Sequence, residues 1–263
     1  MQGVIATRGW HHRRMTIAPL SLLLAAALVL ASSSQTIAAP VAHQDHARVL
    51  VFSKTAKFRH DSIPVAVETL VRVAHEQGMQ ADASEDAGVF EAGRLAGYRA
   101  VVFANTTGDV LDEAQQQALQ DFIRGGGGFV GVHSAADTEH GWPWYGELVG
   151  AWFHKHPPGL QSTVIRPERD GRRSGASWPI RDEIYNYKRN PRPHVEVTAT
   201  VDSGMYEGGT MGEDHPIAWC RAFDGGRTWY TGLGHDASVY ADPHFLAQLR
   251  QGLRYATGLS PDC

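Results

Sequence analysis

Cysteine is scarce in this chain of 263 residues, which carries only Cys220 and Cys263. Two thiols cannot build a disulfide framework or a four-cysteine zinc site; they either pair with each other or stay free. Glycine (28) and proline (13) are scattered and 43% of the residues are hydrophobic, which excludes collagen-like and disordered chains. Internal repeats and low-complexity tracts are lacking, so one core, or at most two small ones, is the economical organisation. No acidic residue precedes Asp45, and only one long apolar run exists, the 15 residues from Ile17 to Ala31.

That run is short for a membrane span and contains Pro19. Arg8, Arg13 and Arg14 lie ahead of it and SSSQTIAAP follows it. These are the n-, h- and c-regions of a secretory signal over residues 1–39, cut near Ala38 or Ala39, with Met15 as an alternative start. An uncleaved anchor is the competing reading. Residues 40–47 read as a linker, 48–258 as one domain and 259–263 as a tail. The expected location is therefore periplasmic or secreted, with no stable membrane span after cleavage. Removal of the leader leaves 21 basic against 28 acidic residues, a net charge of −7, which does not suit nonspecific nucleic-acid binding. Of 14 histidines, 12 remain, and they direct attention to metal or acid–base chemistry.

The first half alternates between strand and helix patterns. Strands are expected at 48–53, 79–83, 99–104 and 129–133, with helices from Pro64 to Gly78 and from Asp112 to Arg124. The first helix is expected to be capped by Asp61 or Ser62. This order predicts an α/β fold with a mostly parallel sheet and helices on both faces. The second half is less regular: strands at 160–166 and 194–201, a hairpin over Asp224-Gly225-Gly226, and a closing helix from Pro243 to Ala256. The four glycines Gly125 to Gly128 end a helix and precede a strand, so they read as a stop and not as a phosphate cradle.

In open α/β sheets the ligand crevice lies at the carboxyl ends of the strands. Three histidines sit at such exits: His60, His133 and His235. Imidazole serves both proton transfer near neutral pH and zinc ligation, so these three are the candidate catalytic residues and the candidate ligands of zinc or another divalent metal. Gly131-x-His133-x-Ala135 resembles a nucleophile elbow, with His133 where Ser or Cys would stand. Glu183, beside Asp182 and an aromatic run, is a candidate acid or base; a solvated surface pair is the alternative. Asn105, Thr106 and Asp137 also follow strands and are candidate substrate contacts. Trp144 and Tyr145 in WPWY are candidate sugar-stacking rings, with core packing as the alternative. His154, His156 and His215 form a further group without tight metal-ligand spacing. Asn105-Thr106-Thr107 fits a glycosylation sequon, a signal common by chance.

Several blocks together resemble the ThuA family, named for trehalose utilisation: FRHDSI, NTTGDVL, GGGGFVGVHSAADT, WPWYGELVGAWF, DEIYNY, DHPIAW and GGRTWYTGLGH. They follow one another across the chain after the leader. The resemblance implies a flavodoxin-like fold related to class I glutamine amidotransferases. It also implies a role in sugar catabolism, where relatives accompany sugar oxidoreductases, so an oxidoreductase partner is expected. Relatives tend to read DE-W-Y where Ile184 stands here, which leaves the carboxylates untouched. In amidotransferases a Cys occupies the elbow; His133 takes that position here, so glutaminase chemistry is not expected. The expected substrate is a glycoside or an oxidised (keto) sugar, worked on by His-based acid–base or metal-assisted chemistry. The rival is a non-catalytic carbohydrate-binding module serving a dehydrogenase.

Overall fold

A computed structural model describes residues 47–263 of the chain. The expected leader (1–39) and nearly all of the expected linker lie outside the described residues. The strands are β1 (Arg48–Phe52), β2 (Gln80–Ser84), β3 (Ala100–Ala104), β4 (Gly128–Val132), β5 (Phe153–Lys155), β6 (Gln161–Arg169), β7 (Arg172–Arg173), β8 (Trp178–Asp182), β9 (Asn186–Tyr187), β10 (Glu196–Val201), β11 (Pro216–Phe223) and β12 (Gly226–Thr231). The helices are α1 (Ile63–Glu76), α2 (Ala92–Leu95), α3 (Glu113–Arg124), α4 (Pro143–Val149) and α5 (Pro243–Ala256).

The strands of the parallel half run β2-β1-β3-β4-β12, each parallel to its neighbours. Their side chains alternate between two cores. Val49, Val51, Val102, Val130 and Val132 pack on one face with Leu70 and Val73 of α1 and Leu249 and Leu253 of α5. Leu50, Phe52, Val101, Phe103 and Phe129 pack on the other with Leu119 and Ile123 of α3 and Leu148 of α4. A strand buried on both faces needs apolar residues at every buried position, and this is why Val49–Phe52, AVVFA and GFVGV read as unbroken apolar runs, while the exposed first residue of β1 is Arg48.

From β12 the sheet continues antiparallel through β11, β10 and β6, with β7 and β8 both paired to β6. The hairpin between β11 and β12 turns through Asp224 and Gly225, both at positive φ (46° and 94°), the geometry of a two-residue hairpin loop. Cys220 on β11 is disulfide-bonded to Cys263, so the expected tail is tied back to the sheet. Strand β8, helix α4 and the small β5-β9 sheet had no counterpart in the sequence reading. Among the described residues, no helix is long and apolar enough to cross a membrane.

Candidate functional site

Four chain segments meet at the carboxyl edge of the parallel strands. His60 lies between β1 and α1, His133 follows β4, His235 follows β12, and Glu183 follows β8. The His60 ring centroid is 4.8 Å from that of His133 and 5.0 Å from that of His235, and the latter two are 5.3 Å apart. One ligating atom from each histidine and one Glu183 oxygen all lie within 4.8 Å of one another.

The ring nitrogens are oriented for a shared centre. Nδ1 of His133 lies 2.8 Å from the carbonyl oxygen of Gly232. A carbonyl only accepts, so Nδ1 carries the hydrogen and Nε2 presents a lone pair. That Nε2 and Nδ1 of His235 are buried and have no hydrogen-bond partner. Glu183 Oε2 is 3.5 Å from the first and 3.2 Å from the second, within ion-pair reach but misaligned for a hydrogen bond. Its other oxygen, Oε1, is 3.1 Å from Nδ1 of His156. Burial, then repulsion from His133 and His235, pushes His60 down to about 3, so its ring is neutral near pH 7. Burial pulls the Glu183 carboxyl upward, but His133 and His235 hold it well below the usual carboxylate range. Glu183 in turn draws His235 up. The His133 lone pair, the buried His235 Nδ1 without a hydrogen-bond partner, a second-side hydrogen bond that fixes the His133 tautomer, and an ionised carboxylate together fit a divalent cation. The four residues could hold a metal ion.

The local sequence explains the geometry. His133 sits at φ 50°, where a residue other than glycine costs about 1–3 kcal/mol. The turn is clamped by two buried tyrosines. Tyr230 donates to the His133 carbonyl and Tyr145 to the Ala135 carbonyl, each at 2.8 Å. Gly131 is required because a Cβ there would come 2.9 Å from the Tyr230 ring. The loop carrying His235 is clasped by Asp182, whose carboxylate accepts from the backbone N–H groups of Gly234 (2.7 Å) and Asp236 (2.9 Å). Ser62 heads α1 but makes no side-chain cap; its hydroxyl donates to the Gly234 carbonyl at 3.1 Å. The expected cap therefore links the His60 segment to the His235 segment.

A pocket of about 230 Å³ opens above the cluster, walled by Phe58, Asp137, Phe153, His156 and Tyr185. Tyr185 lies against His133 with ring centroids 4.2 Å apart. Phe58, 64% exposed, stands at the mouth edge-on to His60.

Among the residues singled out in the sequence, the structure brings together His60, His133, His235, Glu183 and Asp137. The other four candidate contacts lie outside the pocket lining. Asn105 is fully buried; its amide donates to Ser62 Oγ and to the Gly234 carbonyl, both at 3.0 Å, so it ties site segments to each other. The same burial removes the sequon from any glycosylating enzyme that meets the folded domain. Thr106 is buried with its hydroxyl 2.8 Å from that of Thr138. Tyr145 supports the elbow from within the core. Trp144 stacks on Trp142 and donates to Asp224, in the turn that precedes β12, at the opposite edge of the sheet. The further histidine group is dispersed. His154 is exposed, and His215 is buried with Nε2 2.8 Å from the Tyr185 carbonyl. Asp182 and Glu183 are both buried, against the surface-pair alternative. His156 and Tyr185 were not assigned to this site. The strict alternation of β8 (Trp178, Ile180 and Asp182 in; Pro179 and Arg181 out) is the signal that places the Asp182–Tyr185 segment inside.

Comparison with known proteins gives one family and a consistent fold. The ThuA family, described as trehalose utilisation, matches residues 48–256. No curated protein matches the chain. A ThuA-like protein from Bacteroides uniformis is 20% identical, with a TM-score of 0.63 over 83% of this chain and 95% of that one. One from Parabacteroides merdae is 19% identical, with a TM-score of 0.66 over 81% and 91%. A cold-adapted β-galactosidase from Rahnella sp. R3 is 18% identical, with a TM-score of 0.51 over 80% of this chain and 32% of its own. At these identities the likeness is one of fold.

Proposed function

This chain belongs to the ThuA family, and on that premise we propose that it is a cation-dependent enzyme of sugar catabolism, acting on a glycoside or an oxidised (keto) sugar. The observation that carries the proposal is the pair of buried, unpartnered ring nitrogens, His133 Nε2 and His235 Nδ1, facing an ionised Glu183. His60, His133, His235 and Glu183 hold the cation. A bound divalent cation supplies Lewis acidity toward a sugar carbonyl or a water. The protein's own groups then select and orient. The pocket, at about 230 Å³, is smaller than the roughly 300–1,000 Å³ of sites for drug-sized ligands, so it suits a single sugar ring. Phe58, Phe153 and Tyr185 offer rings to the apolar face of that sugar, and Phe58 at the mouth leaves room for a second unit outside. The neutral His60 and the lone pair on His133 suit metal ligation better than proton donation.

The rival reading as a non-catalytic sugar-binding module needs aromatic platforms but no cluster of titrating groups, and the His60, His133, Glu183 and His235 cluster favours the enzyme. Export is part of the proposal. The leader-like residues 1–39 and the Cys220–Cys263 bridge support an oxidising compartment. A sugar oxidoreductase that supplies the keto form is the corresponding partner.

The test is elemental analysis of purified protein, followed by incubation of metal-free and metal-loaded samples with trehalose, other glucosides and their 3-keto forms. About one bound cation per chain and turnover only in the loaded sample are expected. Absence of both cation uptake and turnover overturns the proposal.

A further inference from the structure

One wall of the pocket carries a side-chain chain that the cation cluster does not use. Asp137 ends the short 3₁₀ turn that begins at His133, so the two share one rigid segment. Its backbone is pinned as well, because the Asp137 carbonyl accepts from Gly108 N–H at 2.9 Å. Its Oδ1 lies 2.7 Å from Nε2 of His140. Nδ1 of the same ring lies 3.1 Å from Nζ of Lys188. A lysine ammonium only donates, so His140 Nδ1 accepts and Nε2–H donates to Asp137. The His140 ring stacks on Trp152 (5.5 Å between centroids), and Lys188 Nζ lies 5.2 Å from the same indole. Trp152 is itself fixed through Nε1–H to the Thr138 carbonyl at 3.2 Å. The Asp137 side chain meets His140 through Oδ1 alone, and Asp137 is among the residues that line the pocket.

We infer that Asp137 is the proton acceptor of the pocket, and that His140 and Lys188 are positioning residues that fix its Oδ2 toward the sugar. This rests on the reading of the pocket as a sugar-directed, cation-dependent site. In the step it performs, Asp137 takes the proton from the carbon next to the sugar carbonyl. The C–H electron pair becomes a carbon–carbon double bond and the carbonyl π pair moves onto its oxygen. Return of the proton from Asp137 to the carbon restores the sugar, so no oxidant or reductant is consumed. A carboxylate is suited to this work when its other oxygen is held and its orientation costs nothing at the moment of transfer.

The experiment uses the metal-loaded full chain with methyl 3-keto-α-D-glucopyranoside in D₂O, following deuterium entry at the carbons flanking the carbonyl by NMR. Wild type exchanges these positions. Asp137→Asn lowers the exchange rate by about 10²–10⁴-fold with cation content and melting temperature unchanged. His140→Ala lowers it by roughly 10–100-fold through kcat more than KM, and Lys188→Arg retains more activity than Lys188→Met. Exchange by Asp137→Asn at the wild-type rate overturns the assignment while leaving the functional reading in place. Wild-type protein that binds a cation but neither exchanges nor consumes the probe overturns both. A readout free of substrate decides the brace: ¹⁵N-resolved imidazole spectra show the Nε2–H tautomer for His140, perturbed in Asp137→Asn and Lys188→Met. An Nδ1–H tautomer overturns it.

Discussion

Nε2 of His133 and Oε2 of Glu183 lie 3.5 Å apart with no hydrogen bond between them, although both are buried. Two such groups left facing each other would each bear a desolvation cost that neither repays. The arrangement is stable when something positively charged sits between them, and this makes the His133 side chain the most informative one to remove.

His133→Asn keeps a residue type that tolerates positive φ and deletes the imidazole. We expect cation content measured by mass spectrometry to fall to background, and turnover to go with it, while the far-ultraviolet circular dichroism stays at the wild-type shape. Retention of a full equivalent of metal would place the cation elsewhere.

Cation removal should register in stability. A ligand present at about a hundredfold over its Kd adds about 2.7 kcal/mol, which for a domain of this size raises Tm by roughly 5–10 °C. Thermal scans of chelator-treated protein with and without added zinc or manganese measure this, and coincident curves for every divalent metal tried would contradict it.

Tyr145→Phe isolates the support beneath the elbow. It removes the hydrogen bond to the buried Ala135 carbonyl. A loss of about 1–2 kcal/mol in urea unfolding is expected, with cation content preserved. A neutral effect would mean that the elbow holds its strained φ without the phenol.

The disulfide closes a sequence separation of 43 residues, for which chain-entropy reasoning gives about 4 kcal/mol as an upper figure. Cys263→Ser should lower Tm to the value of reduced wild type and make the melt insensitive to reductant. A mutant that melts like the oxidised parent would show that the bridge contributes nothing.

Acid sensitivity has a contributor outside the pocket lining. Arg192 donates to both oxygens of Asp214, at 2.6 and 2.8 Å, and holds its carboxyl below the usual 3.8. A depressed carboxyl adds stability that is present above the unfolded pKa and is lost as pH falls through the folded one. The stability difference between wild type and Asp214→Asn should therefore be level near neutrality and close up below about pH 4, as read from urea midpoints against pH. A difference that widens on acidification would reverse the sign and exclude this account.

Much of the parallel half could be read directly from the residues. Val49–Phe52, AVVFA and GFVGV are apolar throughout because both faces are covered, and Pro243 with Asp242 marks the last helix at its observed start. The three histidines were legible as residues at strand exits. Asn105 was legible only as a polar residue in the right place; that its amide faces inward to Ser62 and Gly234 depends on neighbours 43 and 129 positions away. Trp144 and Tyr145 adjoin in sequence yet point to a solvent-facing stack and to the core, because adjacent residues on a helix do not share a face.

Local pattern alone determined the strands of the parallel half with α1 and α3, the β11–β12 hairpin and the last helix, and which titratable groups stand where those strands end, because periodicity and turn chemistry act over a few residues. Only the tertiary structure decided that Glu183 leaves the antiparallel half to join His60, His133 and His235, and that Asp137 is braced by a lysine 51 positions later. Those meetings are set by the packing of whole elements, where the energy of each contact depends on every intervening strand and loop.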